Sequence, residues 1–143
     1  MNELIPGLQI GASAVVQKKI EEADTAREMG LDSLETLLAT PTYVDLMIRA
    51  AIKVLKPNFP YADGYITVGT AMSFNHLAPS SLGMKVSIRA TLTAISGNHF
   101  SFKIEAFDEL GIIGTGTHDR VMVKREGLME KVKQRNASLD KSR

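Results

Sequence analysis

One segment constrains the fold more than any other: the nearly continuous apolar stretch that follows Thr40. Its polar residues recur every three or four positions, at Thr42, Asp45, Arg49, Lys53 and Lys56. That spacing places them in one narrow stripe along a helix, and every other position from 43 to 55 is apolar. We therefore expect a long helix, from Pro41 to about Leu55, that the rest of the domain wraps.

The start of this helix also suggests chemistry. Thr40 is a good N-cap residue and Pro41 suits the first helical position. A helix that begins there directs unpaired N–H groups and the positive end of its dipole at whatever lies in front of it. The segment therefore predicts either a catalytic helix start or a core helix with a good cap.

After this helix the apolar period changes to two, which is typical of half-buried strands. The alternating segments are ITVGTAMSF, VSIRATLTAI, HFSFKIEAF and IIGTGTHDRVMV, and SGN and DELG are short turn signals that predict hairpins. Before the helix, LQIGASAVV alternates as a strand and LETLLA is a second short strand or a helix. Between them, QKKIEEADTAREMG is a polar loop with a short helical turn. In the last strand, Gly114 and Gly116 weaken it or allow another backbone to approach.

This order of elements predicts an α+β fold in which one antiparallel sheet wraps one long central helix. A single sheet buries only one side of the helix, so its wide apolar surface calls for a second copy of the chain. That is the plan of the dimeric hot-dog fold. We assign residues 1–125 to this domain and residues 126–143 to a polar C-terminal helix or tail.

Composition excludes several classes of function. The 143 residues suit one domain, and 44% hydrophobic with 23% charged residues is ordinary for a globular protein. The absence of cysteine excludes disulfides and thiolate sites. The start, MNELIPGLQIG, does not have the pattern of a signal peptide, and no apolar run reaches the ~20 residues of a membrane span. We expect a cytoplasmic protein with no membrane partner. The C-terminal tail is basic but has no aromatic residue to stack on bases, so we expect no nucleic-acid partner.

Four segments in register resemble one family of enzymes. ADTAREMG, LLATPTYVDLMIRAA, VGTAMSFNHLAPSSLG and DELGIIGTGTHDRVMV are similar to the hot-dog thioesterases of the fluoroacetyl-CoA thioesterase type, over roughly residues 8–125. The resemblance implies a homodimer, with a homotetramer as the alternative assembly. It also implies hydrolysis of small acyl-CoA thioesters without a metal or an organic cofactor.

The resemblance also implies site residues. The catalytic threonine and histidine of the family fall on Thr40 and His76. The glycine at the substrate carbonyl falls on Gly69, and the arginine of the last strand falls on Arg120. The glutamate of the family falls on Ile48, which can neither orient nor deprotonate a nucleophile. The aromatic lid of the family has no counterpart either, because residues 17–39 contain no aromatic residue.

Each of these residues also has a purely structural interpretation. Thr40 can be only a cap, His76 a satisfied polar residue at a strand end, and Gly69 a packing glycine. Arg120 can bind an acyl or phosphate oxygen, or form a surface ion pair with Asp119 or Glu109. For His118, a structural role is favoured over a functional one.

Because Ile48 stands where the family has a glutamate, the source of an acid and the function itself have alternatives. Asp45 is a weak replacement for it, because Arg49 is its natural partner one helical turn away. Three functions remain open. The first is a slow acyl-CoA thioesterase whose site is walled by Ile48, and the second is a hot-dog protein that binds an acyl-CoA or another small ligand with little or no turnover. A dehydratase of the same fold is the weaker third, since it needs an acid facing a base.

Overall fold

The computed structural model describes residues 5–31 and 35–142. The first residues of the chain and the start of the LETLLA segment therefore lie outside the described residues. The elements are β1 (Ser13–Lys19), α1 (Thr40–Leu55), β2 (Tyr65–Phe74), β3 (Lys85–Ser96), β4 (His99–Asp108), β5 (Gly111–Lys124) and α2 (Arg125–Ser142). A short 3-10 turn at Glu22–Asp24 supplies the helical turn predicted in the polar loop.

The five strands form one antiparallel sheet in the order β1-β3-β4-β5-β2. The predicted hairpins are confirmed, because β3 pairs with β4 and β4 pairs with β5. Strand β2 pairs with β5 and lies at one edge, and β1 pairs with β3 at the other. The long helix α1 packs mainly against β3 and β1. The α+β arrangement of one curled sheet around one long helix is therefore confirmed.

Two predicted strands are wrong in detail. The first was expected from Leu8 to Val16, but β1 begins only at Ser13. Turns occupy the residues before it, where Gly7 and Gly11 adopt φ of 82° and 96°, a conformation that favours glycine. The predicted LETLLA strand is only two isolated bridges, Thr25 to Leu38 and Leu37 to Ser81. Its two bridging residues pair with different segments, so no continuous ladder forms.

The core is built on the apolar side of α1. Its buried side chains are those of Thr42, Tyr43, Leu46, Met47, Ala50, Ala51, Val54 and Leu55. Thr42 was expected in the polar stripe but is buried, and its hydroxyl donates to the backbone oxygen of Asp24 at 3.2 Å. Val44, Ile48 and Ile52 are only half-buried. Because these three recur every four residues, they form a partly uncovered apolar stripe on α1.

Gly114 and Gly116, inside β5, lie where a neighbouring backbone passes closely, as one interpretation of the sequence predicts. A Cβ atom on Gly114 would lie 2.3 Å from the backbone oxygen of Asn75, and one on Gly116 would lie 2.6 Å from that of Ser73. Side chains at these positions would therefore push β5 away from the end of β2, where the site residues lie.

Candidate functional site

The start of α1 and the segment after β2 bring Thr40 and His76 together. Helix α1 begins at Thr40 itself, and its N-cap is Ala39, with no side-chain capping bond. The predicted N-cap role of Thr40 is therefore wrong. Its hydroxyl instead lies 3.2 Å from Nδ1 of His76, two residues beyond the end of β2. The positive end of the helix dipole faces the same point.

The imidazole of His76 is half-buried and has one nitrogen without a protein partner. Its ring lies against that of Tyr43, with centroids 4.6 Å apart. Burial lowers the pKa of His76 below its usual 6.5, so the ring is neutral at pH 7. Among the described residues, His76 Nε2 and the Tyr43 hydroxyl are the buried side-chain polar atoms without a hydrogen-bond partner. Nε2 is therefore a buried nitrogen whose hydrogen-bonding capacity is unused.

A small apolar cavity opens beside this pair. Its volume is about 260 Å³, and Thr40 and His76 form part of its wall. The rest of the wall is apolar: Ala26, Leu31, Leu37, Leu38, Leu77, Ala78 and Pro79. Aliphatic walls around a few polar groups are typical of ligand sites. This cavity can hold an apolar group next to a neutral histidine and a helix start.

The other three predicted site residues do not line this cavity. Ile48 is half-buried two turns further along α1. Gly69 lies in β2 opposite Arg120 of β5, beside a β-bulge. Within one chain, the five predicted residues therefore fall into a Thr40–His76 group, a Gly69–Arg120 group and Ile48 by itself.

Arg120 is buried, which contradicts the alternative of a surface ion pair. Its side chain is 5% exposed, and it donates to Thr67 Oγ1 at 3.1 Å and to the Thr67 backbone oxygen at 2.9 Å. Glu109 instead accepts from the backbone N–H of Lys85. Burial lowers the pKa of the Arg120 guanidinium. In the described part of the chain, no acidic side chain forms a salt bridge with this guanidinium.

His118 completes the Arg120 cluster. Its Nδ1 lies 2.8 Å from the backbone oxygen of Ala71, so this nitrogen carries the proton and donates it. Its Nε2 then accepts from Arg120 at 3.2 Å. A Cβ atom on Gly69 would meet the His118 ring at 3.1 Å and the Arg120 guanidinium at 3.3 Å. The pair therefore supports the bulge of β2 at Gly69, and the structural interpretation of His118 accounts for these contacts.

Asp45 is not placed to supply the missing carboxylate. Its Oδ2 accepts from Arg49 Nε at 2.8 Å, and both side chains are exposed. This is the i to i+4 pair expected from the sequence.

The described residues contain no group of three or more side chains suited to hold a metal ion. None of their helices is long and apolar enough to span a membrane.

Sequence reasoning missed Tyr43. It was included in the apolar face of α1, where it is fully buried, but its contact with His76 was not foreseen. The available signal was its position three residues after Thr40, as the one aromatic residue of the helix. That spacing places Tyr43 next to Thr40 on the helix surface.

Comparison with known proteins places this geometry in context. The family model for the fluoroacetyl-CoA-specific thioesterase matches residues 20–126. A fluoroacetyl-CoA thioesterase from Streptantibioticus cattleyicolor is 28% identical over 134 residues, covering 90% of this chain and 95% of the relative.

Solved structures of hot-dog proteins are also similar to this chain. A hot-dog-like protein from Thermanaerovibrio acidaminovorans superposes with a TM-score of 0.81 at 29% identity, covering 94% of this chain and 95% of its own. The fluoroacetyl-CoA thioesterase FlK superposes with a TM-score of 0.82 at 26% identity, covering 90% of this chain and 97% of its own. The hot-dog fold is therefore confirmed.

Proposed function

The chain belongs to the fluoroacetyl-CoA-specific thioesterase family, and from that premise we propose an acyl-CoA thioester hydrolase that works through Thr40 and His76. One observation carries the proposal: the 3.2 Å contact between Thr40 Oγ1 and His76 Nδ1 at the edge of an apolar cavity. The pair joins a neutral base to a helix start, which suits the attack of water on a thioester.

The reaction follows from the hydrogen bonding of His76. In the tautomer whose Nδ1–H donates to Thr40, Nε2 carries the lone pair and takes a proton from a water that enters the site with the thioester. The resulting hydroxide adds to the thioester carbonyl carbon, and the N–H groups of the first turn of α1 stabilise the oxyanion. The oxyanion then collapses and the carbon–sulfur bond breaks. The CoA thiolate leaves and takes the proton back from His76. No step requires a metal or an organic cofactor.

We propose slow turnover and an apolar acyl group. Ile48 occupies the position of the family's carboxylate, so the second group that would orient the water is absent. The cavity beside Thr40 and His76 is lined with aliphatic side chains. An ionised acyl group would lose its hydration there without gaining a partner. Aliphatic acyl groups are therefore expected to bind better than succinyl or malonyl groups.

We also propose that the chain works as a homodimer. Strand β2 is ten residues long, lies at a sheet edge, and contains neither a charged residue nor a proline. Natural edge strands of this kind are usually covered or paired. Pairing β2 with its copy would place Gly69 in the interface, where its backbone can approach the site of the second chain. The half-buried stripe of Val44, Ile48 and Ile52 is a second apolar surface that a partner copy can cover.

The sharpest test measures both hydrolysis and assembly. Purified protein is offered acetyl, butyryl, isobutyryl, hexanoyl, benzoyl and succinyl thioesters of CoA, and the release of free thiol is followed with and without a chelator. We expect turnover of the aliphatic thioesters, no effect of the chelator, and a dimer by sedimentation velocity. Failure to hydrolyse or bind any of them would refute the function. A compact monomer at micromolar concentration would refute the dimer.

A second function is favoured by one specific observation. Because Ile48 removes the family's carboxylate, the protein can bind an acyl-CoA and turn it over barely or not at all. Calorimetry with the same thioesters separates the two functions. Micromolar binding without thiol release would establish the ligand-binding function in place of the enzyme.

A further inference from the structure

We propose that Tyr43 is the residue that positions His76 for hydrolysis, holding the imidazole between its own ring and the Thr40 hydroxyl. The inference rests on the proposed hydrolytic function and adds a residue to it. Tyr43 and Thr40 are three residues apart on α1, so one helical turn contacts both the ring face and the Nδ1 edge of His76.

The position of the Tyr43 ring is strongly determined. The residue is fully buried. The ring of Phe74 meets it edge-on at 5.7 Å, an arrangement that aromatic pairs favour. Phe74 is the last residue of β2, and His76 follows two positions later. The chain segment that leads into the histidine therefore also carries the ring that fixes Tyr43.

The far end of Tyr43 rests against β5. A Cβ atom on Gly114 would lie 2.3 Å from the Tyr43 hydroxyl oxygen and 2.3 Å from the backbone oxygen of Asn75. Only a glycine leaves room there for both the phenol and the residue that precedes His76. Gly114 therefore sets the depth of the Tyr43 ring and the path of the chain into His76.

The Tyr43 hydroxyl has no hydrogen-bond partner although it is buried. Burial raises its pKa to about 12, so it remains neutral and contributes no charge near His76. An unpartnered buried hydroxyl is unfavourable for stability, and it does not explain the contact. The Tyr43 ring explains the contact, because its apolar face against the His76 imidazole excludes water from the imidazole and restricts its rotation.

The test compares Tyr43→Leu with Tyr43→Phe, and Phe59→Leu serves as a control for losing a buried aromatic ring beyond the far end of α1. Tyr43→Phe keeps the ring and should retain kcat within about two-fold. Tyr43→Leu should lower kcat at least ~10-fold with little change in KM, because the base is displaced while the acyl cavity remains. Phe59→Leu should leave kcat near that of the parent protein.

A second readout does not depend on activity. The chain has three histidines, so NMR titration can follow the His76 ring once it is assigned by a His76→Gln spectrum. The contacts that face this ring are those of Thr40 and Tyr43, and burial is the cause of its lowered pKa. Loss of the Tyr43 ring should raise the pKa towards 6.5, and Tyr43→Phe should not. If no thioester is hydrolysed, this titration still decides the positioning role.

Three results would overturn the inference. Equal loss of kcat in Tyr43→Phe and Tyr43→Leu would assign the role to the hydroxyl. A folded Tyr43→Leu protein with parental kcat and a parental His76 titration would show that the ring only fills the core. If Tyr43→Leu does not fold, Gly114→Ala disturbs the same contact from β5. A folded Gly114→Ala protein with unchanged kcat and titration would likewise contradict the inference.

Discussion

Thr40 Oγ1 lies 3.2 Å from Nδ1 of His76, although the two residues are 36 positions apart in the sequence. The contact exists because α1 begins at Thr40, so the hydroxyl is not used for capping. One helix start therefore provides both a hydrogen-bond partner for His76 Nδ1 and a dipole that favours a developing oxyanion. His76 Nε2 is left as a buried nitrogen without a hydrogen-bond partner.

His76→Ala is expected to lower kcat by ~10²-fold or more, because general-base catalysis by one side chain contributes about this much. Thiol release from the best acyl-CoA is the measurement. His99→Ala is the matched control, since that histidine is exposed at the other end of the sheet in β4. A folded His76→Ala protein with parental turnover would show that His76 has only a structural role.

The sequence predicted the elements whose residues alternate regularly. The period of two in VSIRATLTAI matches β3, where Val86, Ile88, Ala90 and Leu92 are all buried. The polar stripe of α1 correctly predicted its length to Leu55. The same alternation misplaced β1, because Ile10 is 64% exposed in a glycine-containing turn. Periodicity reports which residues alternate, but glycine turns decide where a strand can begin.

The site was predictable only in part, for a different reason. The resemblance pointed to Thr40 and His76, and the structure brings them into contact. The Tyr43–His76 contact depends on how deeply α1 packs over β5 at Gly114, which no local pattern contains. The sequence also did not predict the burial of Arg120, because arginine is usually exposed and its neighbours in the last strand include polar residues.

Leu46→Ala is expected to reduce the free energy of unfolding by ~2–5 kcal/mol. The side chain is 5% exposed in the middle of the buried face of α1, so its removal leaves a cavity against the sheet. Urea unfolding followed by circular dichroism measures the change. Val132→Ala in α2, where the side chain is 39% exposed, is the control and should change stability little. A loss below ~1 kcal/mol for Leu46→Ala would mean that α1 is not the central layer.

The His118–Arg120 pair predicts how stability depends on pH. Burial and the neighbouring guanidinium lower the pKa of His118 below 6.5, with burial as the larger cause. The unfolded chain therefore binds a proton more readily than the folded one. The resulting contribution to stability is complete above about pH 6.5 and is lost as pH falls towards the folded pKa. Urea unfolding at pH 7.5 and pH 5.5 measures this loss.

The matched variant for that measurement is His118→Gln, which retains a donor for Ala71 without a titrating ring. His76 also has a lowered pKa and contributes to the same trend. The loss of stability between the two pH values should therefore shrink in His118→Gln without disappearing. An identical loss in parent and variant would show that His118 does not titrate within this range in the unfolding equilibrium.

Ile48→Glu tests whether the proposed site is a thioesterase that lacks one group. The residue is half-buried on α1, two turns beyond Thr40 and outside the wall of the Thr40–His76 cavity. A carboxylate there restores the group that the family has at this position, and we expect the proposed dimer to bring it within reach of the attacking water. If Thr40 and His76 already hold the remaining geometry, kcat should rise at least ~10-fold on the best aliphatic thioester. Saturation kinetics of thiol release give kcat and KM separately.

Ile48→Gln is the control, because it matches the shape of glutamate without its charge, and it should give little or no gain. The gain should also fall at low pH as the new carboxylate is protonated, because partial burial raises its pKa. Circular dichroism and sedimentation establish that each variant is folded and has kept its assembly. A folded Ile48→Glu protein with no gain on any thioester would reject the interpretation of a hydrolase missing its carboxylate. In that case tight acyl-CoA binding, measured on the same variant and its parent, would identify the protein as a ligand-binding member of the family.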